Sequence, residues 1–423
     1  MSTLPDKLPI IPFTRPVRDS IVLPGSKSIT NRALILAALA GHTVKLHGAL
    51  FSRDTYLMIA ALHDLGFGVT ASHTDFTITV GGRGGKIPVK EARIFVGNAG
   101  TAARFLTAFV CLQPGGRYHF DGDEAMRRRP IGALLDALES QGARASARNF
   151  PFTLETAGLP GGVVPLDAGE SSQLLSALLL VGPHARSPLS VQLKGETVSR
   201  PFVAMTEKML AQFARKPEHY MIENDATAAS YFLALPLVTN CALSLPDYRI
   251  AGGLQGDTQF AAVMKKVGLE LSPIVDSNGV EVWRPKGRRI RGVTADFNEF
   301  SDTFLTLAAI APLLEGPTVI TGIAHTRKQE TDRVAGMARE LRKLGQHVIE
   351  AEDSLEIHPR PLVPGVEIET YHDHRFAMSF GILGCHDLLR TGRPWITIKD
   401  PACCGKTFPS FFDVLTRLQN DSF

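Results

Sequence analysis

The sequence predicts an α/β fold built of two similar domains, and three observations carry that expectation. Amphipathic helices that end in a glycine and lead into a short strand-like stretch recur along the chain. Their spacing is nearly constant within each half. One segment is too short to hold the pair of strands that the rhythm requires. Alternation of this kind gives mixed sheets with helices packed against them.

Taken in order, MIAALHDLGFGVT, LLDALESQGARAS, VMKKVGLELS and MARELRKLGQHVI each set Leu, Val or Met at helical spacing before a stop glycine and a β-rich stretch. The stop glycines are Gly66, Gly142, Gly268 and Gly345, and the first and last intervals between them are about 76 and about 77 residues. The middle interval, about 126, is too long for one repeat and short of two. MTEKMLAQFARKPEHYMIEN supplies the missing helix, ending near Phe213, but the expected glycine and strand pair are reduced to ARKPEH. This repeat has lost roughly 20 residues. FFDVLTRLQ is a sixth helix, so the N-terminal strand region has to complete its unit. Six related units in two domains follow, with one crossover near PGSK and a second near ENDAT. The expected domains are residues 1–23 with 223–423, and residues 24–222.

With 423 residues, 44% hydrophobic and 21% charged, the chain reads as an ordinary soluble protein with room for two or more cores. A net charge of +3 argues against nucleic acid or an anionic membrane as partner. Cys111, Cys241, Cys385, Cys403 and Cys404 are odd in number and mostly far apart, which suits free thiols in a reducing compartment. MSTLPDKLPIIPF lacks the basic and apolar regions of a signal peptide, and no apolar run reaches the roughly 18 residues of a membrane span. The expected location is the cytoplasm.

Chemistry-bearing motifs gather at the starts of apolar helices. LPGSKSITNRALILAALA sets Lys27 between Ser26 and Ser28, ahead of a helix predicted over 29–40, an arrangement that suits an anion. The phosphate-loop pattern fails, because Ser26 stands where its second glycine belongs. FVGNAGTAARFLTAF sets Gly97, Asn98, Gly100 and Thr101 before a buried helix, with Arg104 in its first turns. In MRRRPIGALLDAL, two of Arg127, Arg128 and Arg129 read as a solvated turn and one as turned inward. Ser171, Ser172 and Gln173 open another apolar helix, and Ser199 adds a hydroxyl.

The second half carries the titratable groups. Glu330 and Arg333 lie three apart, hence on one helix face, with Asp332 able to pair beside them. Arg375 follows Asp373 and His374 at the mouth of an apolar helix, and Lys406 sits on a glycine turn. Asp302 heads a further buried helix, as an N-cap or as a base facing a ligand. His372 and His374 lack the partner pattern of a metal site. Cations, hydroxyls and two carboxylates at helix starts fit small, multiply anionic substrates and acid–base chemistry, with no metal and no cofactor.

LPGSKSITNRAL, GNAGTAARFL, RRRPIGALLDAL, SSQLLSALLL, DATAASYF, QETDR, DHRFAMSF and KTFP resemble, in order, the motifs of the EPSP synthase (3-phosphoshikimate 1-carboxyvinyltransferase) family of enolpyruvyl transferases. The resemblance implies two inside-out α/β domains, each of three βαβαββ repeats joined by two crossovers, with the shortened repeat as a departure. It implies transfer of the enolpyruvyl group of phosphoenolpyruvate to the 5-hydroxyl of shikimate 3-phosphate through a tetrahedral adduct, by a monomer. By the same resemblance Lys27, Arg129, Arg333, Arg375 and Lys406 hold phosphoenolpyruvate and the departing phosphate, with Gly100, Thr101 and Gln173 lining that site. Ser28 and Arg32 take the shikimate carboxylate, Ser171, Ser172 and Ser199 its phosphate, and Gln173 its ring; Lys27, His325 and Gln329 also fall at positions facing that substrate. Asp302 is the base toward the 5-hydroxyl, Glu330 the acid at the methylene carbon, and Lys27 is counted with them as catalytic.

Gln329 stands where many members have lysine, Phe202 where some have tyrosine, His325 for a frequent asparagine and Phe105 for a frequent proline. Glyphosate occupies the phosphoenolpyruvate site in this family, and a glycine at position 100 leaves room for it. Two alternatives accompany this reading: a UDP-N-acetylglucosamine enolpyruvyl transferase, whose loop cysteine has no counterpart in DGDEAMRRRP, and a non-catalytic sugar-phosphate-binding paralogue.

Overall fold

The four stop glycines end their helices in backbone that glycine alone adopts readily, with φ of +85°, +93°, +127° and +84° at Gly66, Gly142, Gly268 and Gly345. The computed structural model describes residues 4–169, 171–195, 200–275 and 277–420. The chain divides into two units: a terminal unit of Met1–Pro24 with Asn224–Phe423, and a central unit of Gly25–Glu223.

In the central unit the helices Lys27–Leu39, Gly100–Val110 and Ser172–Val181 pack on one another. They are rich in Ala, Leu, Ile and Phe on nearly every face, and Gly100–Val110 is buried at every residue. A helix apolar all round has nowhere else to go. Amphipathic helices Arg53–Asp64, Gly132–Glu139 and Arg200–Phe213 bury one side each. Strand Thr43–His47 pairs antiparallel with Thr77–Gly81, which pairs with Val69–Ser72, and parallel with His219–Met221. Val44 opposite Val80 and Leu46 opposite Ile78 set that register, because all four side chains point into the core. Glu91–Phe95, Pro114–Asp121, Phe152–Ala157 and Arg144–Ala145 repeat the pattern. The third sheet has two parallel strands among the described residues, Gly162–Asp167 and Leu189–Lys194. Its hairpin is the part that ARKPEH is too short to supply.

The terminal unit has the same plan. Ala226–Thr239, Phe304–Ile310 and His374–Gly384 are buried at every residue and pack together, with Phe260–Val267, Arg333–Lys343 and Phe411–Asn420 as the one-sided helices. Two four-stranded sheets are built around Ala242–Leu245 and Thr318–Thr321. In the third, Ile396–Lys399 pairs parallel with Val366–Ile368 and antiparallel with Lys7–Pro9, so the N-terminal strand completes the unit that the last helix opens. Arg18–Ser20 leads in sequence toward Lys27–Leu39 yet pairs with Ala242–Leu245 of the terminal unit. His219–Met221 leads toward Ala226–Thr239 yet pairs with Thr43–His47 of the central unit. Exchange of these two lead strands is the physical content of the double crossover. No helix among the described residues is long and apolar enough to cross a membrane.

Candidate active site

In the terminal unit the sequence-predicted carboxylates and cations meet around one guanidinium. Arg333, 1% exposed, donates from Nε to Asp373 Oδ2 at 2.7 Å, from Nη1 to Asp302 Oδ1 at 2.8 Å and from Nη2 to Glu330 Oε2 at 2.9 Å. Arg375 Nη2 donates to the other Asp302 oxygen at 2.6 Å, and Lys406 Nζ to the other Glu330 oxygen at 2.9 Å. Burial opposes the charge on Arg333, but Asp373, Glu330 and Asp302 outweigh it and hold its pKa above the ordinary value. Arg375 is held up in the same way against burial, with Asp302 the largest support. Gln329 turns its side-chain oxygen to Arg333. His325 Nε2 lies 2.8 Å from Ser301 Oγ, and burial lowers its pKa although Asp302 pulls the other way.

Local structure departs from the sequence reading at three of these positions. Asp302 sits inside the turn Ser301–Thr303 rather than at the N-cap of the helix that follows, which is Thr303; its oxygens accept from Arg333 and Arg375. Glu330 does not share a helix face with Arg333, because the helix begins at Arg333 itself and Glu330 precedes it. Asp332 caps that helix through Ala335 N (2.9 Å) and pairs with Arg327 (2.9 Å), away from Glu330. Sequence reasoning passed over two acids. Asp373 is both the N-cap of His374–Gly384, accepting from Arg375 N at 3.0 Å, and the buried partner of Arg333. Asp257 is buried, accepts from Thr227 Oγ1 at 2.6 Å, and is pushed up to about 7 by burial and then by the charge of Asp302. An acid directly before an apolar helix was the available signal for Asp373; for Asp257 none was. His372 Nδ1 lies 2.7 Å from Asp400 Oδ2, and His374 is buried at the start of its helix.

The central unit gathers the remaining candidates. Lys27 and Ser28 belong to the first turn of Lys27–Leu39 rather than preceding the helix, and Lys27 Nζ stands 3.5 Å from Asp54. Gly100 and Thr101 open the next buried helix. Of the three adjacent arginines Arg129 is turned inward, near Asn98 (Nη1 to the backbone O, 3.3 Å), while Arg127 and Arg128 pair at the surface with Asp121 and Glu124. A Cβ on Gly100 would lie 2.6 Å from Arg129 Nη2, so the guanidinium occupies the space that glycine leaves. Ser171 caps Ser172–Val181 by accepting from Gln173 N at 3.2 Å, and the Gln173 side-chain oxygen is buried without a hydrogen-bond partner among the described residues. Ser172 is buried beside them; Ser199 lies outside the described residues.

Arg32 is the second guanidinium at 1% exposure. It donates from Nε to Thr206 Oγ1 (2.8 Å), from Nη1 to Ser28 O (2.9 Å), and from Nη2 to Ser176 Oγ (3.3 Å) and Phe202 O (3.2 Å). Phe105 and Phe202 lie 5.1 and 5.9 Å from it, ring centroid to guanidinium carbon. No carboxylate among the described residues pairs with it, and burial pulls its pKa down to about 9, still charged at neutral pH. Four of its five N–H groups are therefore used within the unit, leaving one hydrogen and a full charge for a ligand.

The sequence matches the family described as EPSP synthase (3-phosphoshikimate 1-carboxyvinyltransferase) over residues 13–415. The chain belongs to the EPSP synthase family. A 3-phosphoshikimate 1-carboxyvinyltransferase of Opitutus terrae is 52% identical, covering 99% of each chain. One from Nostoc punctiforme is 39% identical over 96% of this chain and 98% of its own. In fold, the chain is similar to the EPSP synthase of Acinetobacter baumannii, with a TM-score of 0.78 at 24% identity over 97% of this chain and 98% of the other. The family match and these relatives support the EPSP synthase reading of the sequence.

Proposed function

We propose that the chain works as an EPSP synthase with Asp302 as base, Glu330 as acid and Arg333 as the cation common to both. The reaction transfers the enolpyruvyl group of phosphoenolpyruvate to the 5-hydroxyl of shikimate 3-phosphate and releases phosphate. The observation that carries the assignment of roles is that Asp302 and Glu330 are bound to different N–H groups of one buried arginine. Addition across the enol needs a proton removed from the hydroxyl and a proton delivered to the methylene carbon, by groups held apart yet in fixed register. Asp302, salt-bridged to two guanidiniums, carries the negative charge that a base requires. Glu330 shares its oxygens with Arg333 and Lys406, and an anionic substrate that draws on those cations frees it to handle a proton. In the elimination Glu330 takes a proton back from the methyl group as the carbon–oxygen bond to phosphate breaks, the proton that Asp302 took from the hydroxyl goes to the departing phosphate, and Arg333, Arg375 and Lys406 stabilise the charge that leaves.

In the central unit, Lys27, Gly100, Thr101 and Arg129 are assigned to phosphoenolpyruvate. Ser28, Arg32, Ser171, Ser172 and Gln173 are assigned to shikimate 3-phosphate, together with His325 and Gln329 of the terminal unit. The unpartnered Gln173 oxygen supports a contact to a ring hydroxyl, and the unneutralised charge of Arg32 supports a contact to a carboxylate. We also assign a monomer, and a cytoplasmic location supported by cysteines that are odd in number and mostly far apart in the sequence, a pattern that suits a reducing compartment.

The test is phosphate release from phosphoenolpyruvate with and without shikimate 3-phosphate. Asp302→Asn and Glu330→Gln are each expected to lower turnover by roughly 10²-fold or more with the melting temperature little changed. Near wild-type turnover in either variant removes that residue's role.

A further inference from the structure

Two adjacent residues next to the site have backbone that neither prefers. Tyr371 and His372 have φ of +55° and +56°, and the Asp373 N–H donates to Thr370 O at 2.8 Å. Positive φ at both central residues with this hydrogen bond is the pattern of a type I′ turn. Asn-Gly makes such a turn readily; a bulky tyrosine is strained in it, and a histidine less so.

Both side chains are pinned. Tyr371 Oη donates to Glu340 Oε1 at 2.5 Å, and Glu340, fully buried, also accepts from Lys343 Nζ (2.7 Å) and from Glu369 N (3.1 Å). Arg339 Nη1 donates to the same phenolic oxygen at 2.9 Å, with its guanidinium 5.4 Å from the ring centroid. His372 Nδ1 lies 2.7 Å from Asp400 Oδ2, and Asp400 heads the turn Pro401–Lys406 that carries Lys406. Arg339, Glu340 and Lys343 all lie on the helix that Arg333 begins. The strained turn is therefore tied to the elements that present Arg333 and Lys406. Its own last residue is Asp373, the partner of Arg333, and Arg375 follows two residues later.

We propose that Tyr371 is a positioning residue for phosphoenolpyruvate: clamped by Glu340 and Arg339, it enforces a turn that the local sequence disfavours, and that turn sets Asp373 and Arg375. The proposal rests on the assignment of Arg375 and Arg333 to that substrate. A turn serving stability alone would be improved by residues that prefer it. A turn serving position is damaged when its clamp is removed, whatever happens to stability.

The decisive variant is Tyr371→Asn with His372→Gly, which supplies the preferred turn residues and removes both clamps. Its melting temperature is expected to equal or exceed that of the wild type, while KM for phosphoenolpyruvate rises about tenfold and KM for shikimate 3-phosphate moves by less than about twofold. Wild-type kinetics in this variant overturn the proposal. Should it melt earlier, Tyr371→Phe decides, because ring and turn stay and only the hydroxyl goes: a raised phosphoenolpyruvate KM supports the positioning role and an unchanged one overturns it. Arg375→Lys separates the two levels of inference. An unchanged phosphoenolpyruvate KM there removes the site assignment and the positioning role with it; a raised KM beside a wild-type turn variant removes the positioning role alone.

Discussion

Arg333 of the terminal unit and Arg32 of the central unit are equally buried, yet they are kept charged in opposite ways. Arg333 is ringed by Asp302, Glu330 and Asp373, which lift its pKa above the ordinary value. Arg32 has two phenylalanine rings and four neutral oxygens, and burial pulls its pKa down. The first is a balanced network, so an anionic ligand competes with carboxylates already in place. The second is a charge awaiting its counter-ion, so a ligand carboxylate completes it. Removal of one partner from a buried pair strands the others, whereas removal of an unpaired buried charge strands nothing ionic.

The sharpest way to break this comparison is to replace each arginine by methionine. Arg333→Met takes the guanidinium from buried Asp373 and leaves Asp302 to Arg375 and Glu330 to Lys406, and is expected to cost about 3–5 kcal/mol in denaturant unfolding, with activity lost. Arg32→Met puts an apolar chain between two rings. Thr206 Oγ1 still donates to Phe202 O at 2.9 Å and lies 3.0 Å from Ser176 Oγ, so stability should change by less than about 1 kcal/mol while KM for shikimate 3-phosphate rises about tenfold or more. Equal destabilisation in the two variants would erase the distinction.

Asp257 sharpens it. Arg333, Arg375 and Lys406 face Asp302, Glu330 and Asp373, three against three, and Asp257 is a fourth carboxylate beside them. Its folded pKa of about 7 lies above the usual 3.8, so the folded state holds a proton that the unfolded chain gives up. The stability tied to that proton is complete below about pH 4 and is lost as pH rises through 7. Asp257→Asn should therefore match the wild type near pH 4 and exceed it by up to about 4 kcal/mol at pH 8, read from melts at both values. An equal difference at the two pH values would show that Asp257 is not the surplus charge.

The smallest effect concerns the central unit. Gly100→Ala pushes a methyl group into the Arg129 guanidinium, which can swing aside because it is the end of a flexible chain. KM for phosphoenolpyruvate is expected to rise about threefold, and the glyphosate inhibition constant to rise more. An unchanged ratio of the two constants would mean that Arg129 and the inhibitor do not share that space.

Much of the fold was legible because its signals are local. Stop glycines, one-sided helices and all-round apolar helices each report on the few residues around them, and the two-stranded third sheet was visible as a segment too short to contain a hairpin. The site was legible as a set of residue types at helix starts, but its wiring was not. Asp302 looked like a cap and became a partner of arginines 31 and 73 residues away, and Asp373 found Arg333 at a separation of 40. No periodicity reaches so far.

The sequence by itself determined which segments are helices and strands, which helices must be buried, and which cations, hydroxyls and acids stand at their N-termini, because propensity, amphipathicity and turn chemistry act over a few residues. Tertiary packing decided that Arg333 is neutralised and Arg32 is not, that Asp257 stands beside Asp302, and that Tyr371 and His372 accept backbone they disfavour. Those outcomes depend on side chains brought together across tens to hundreds of residues, where burial makes every unmatched charge and every misplaced donor costly.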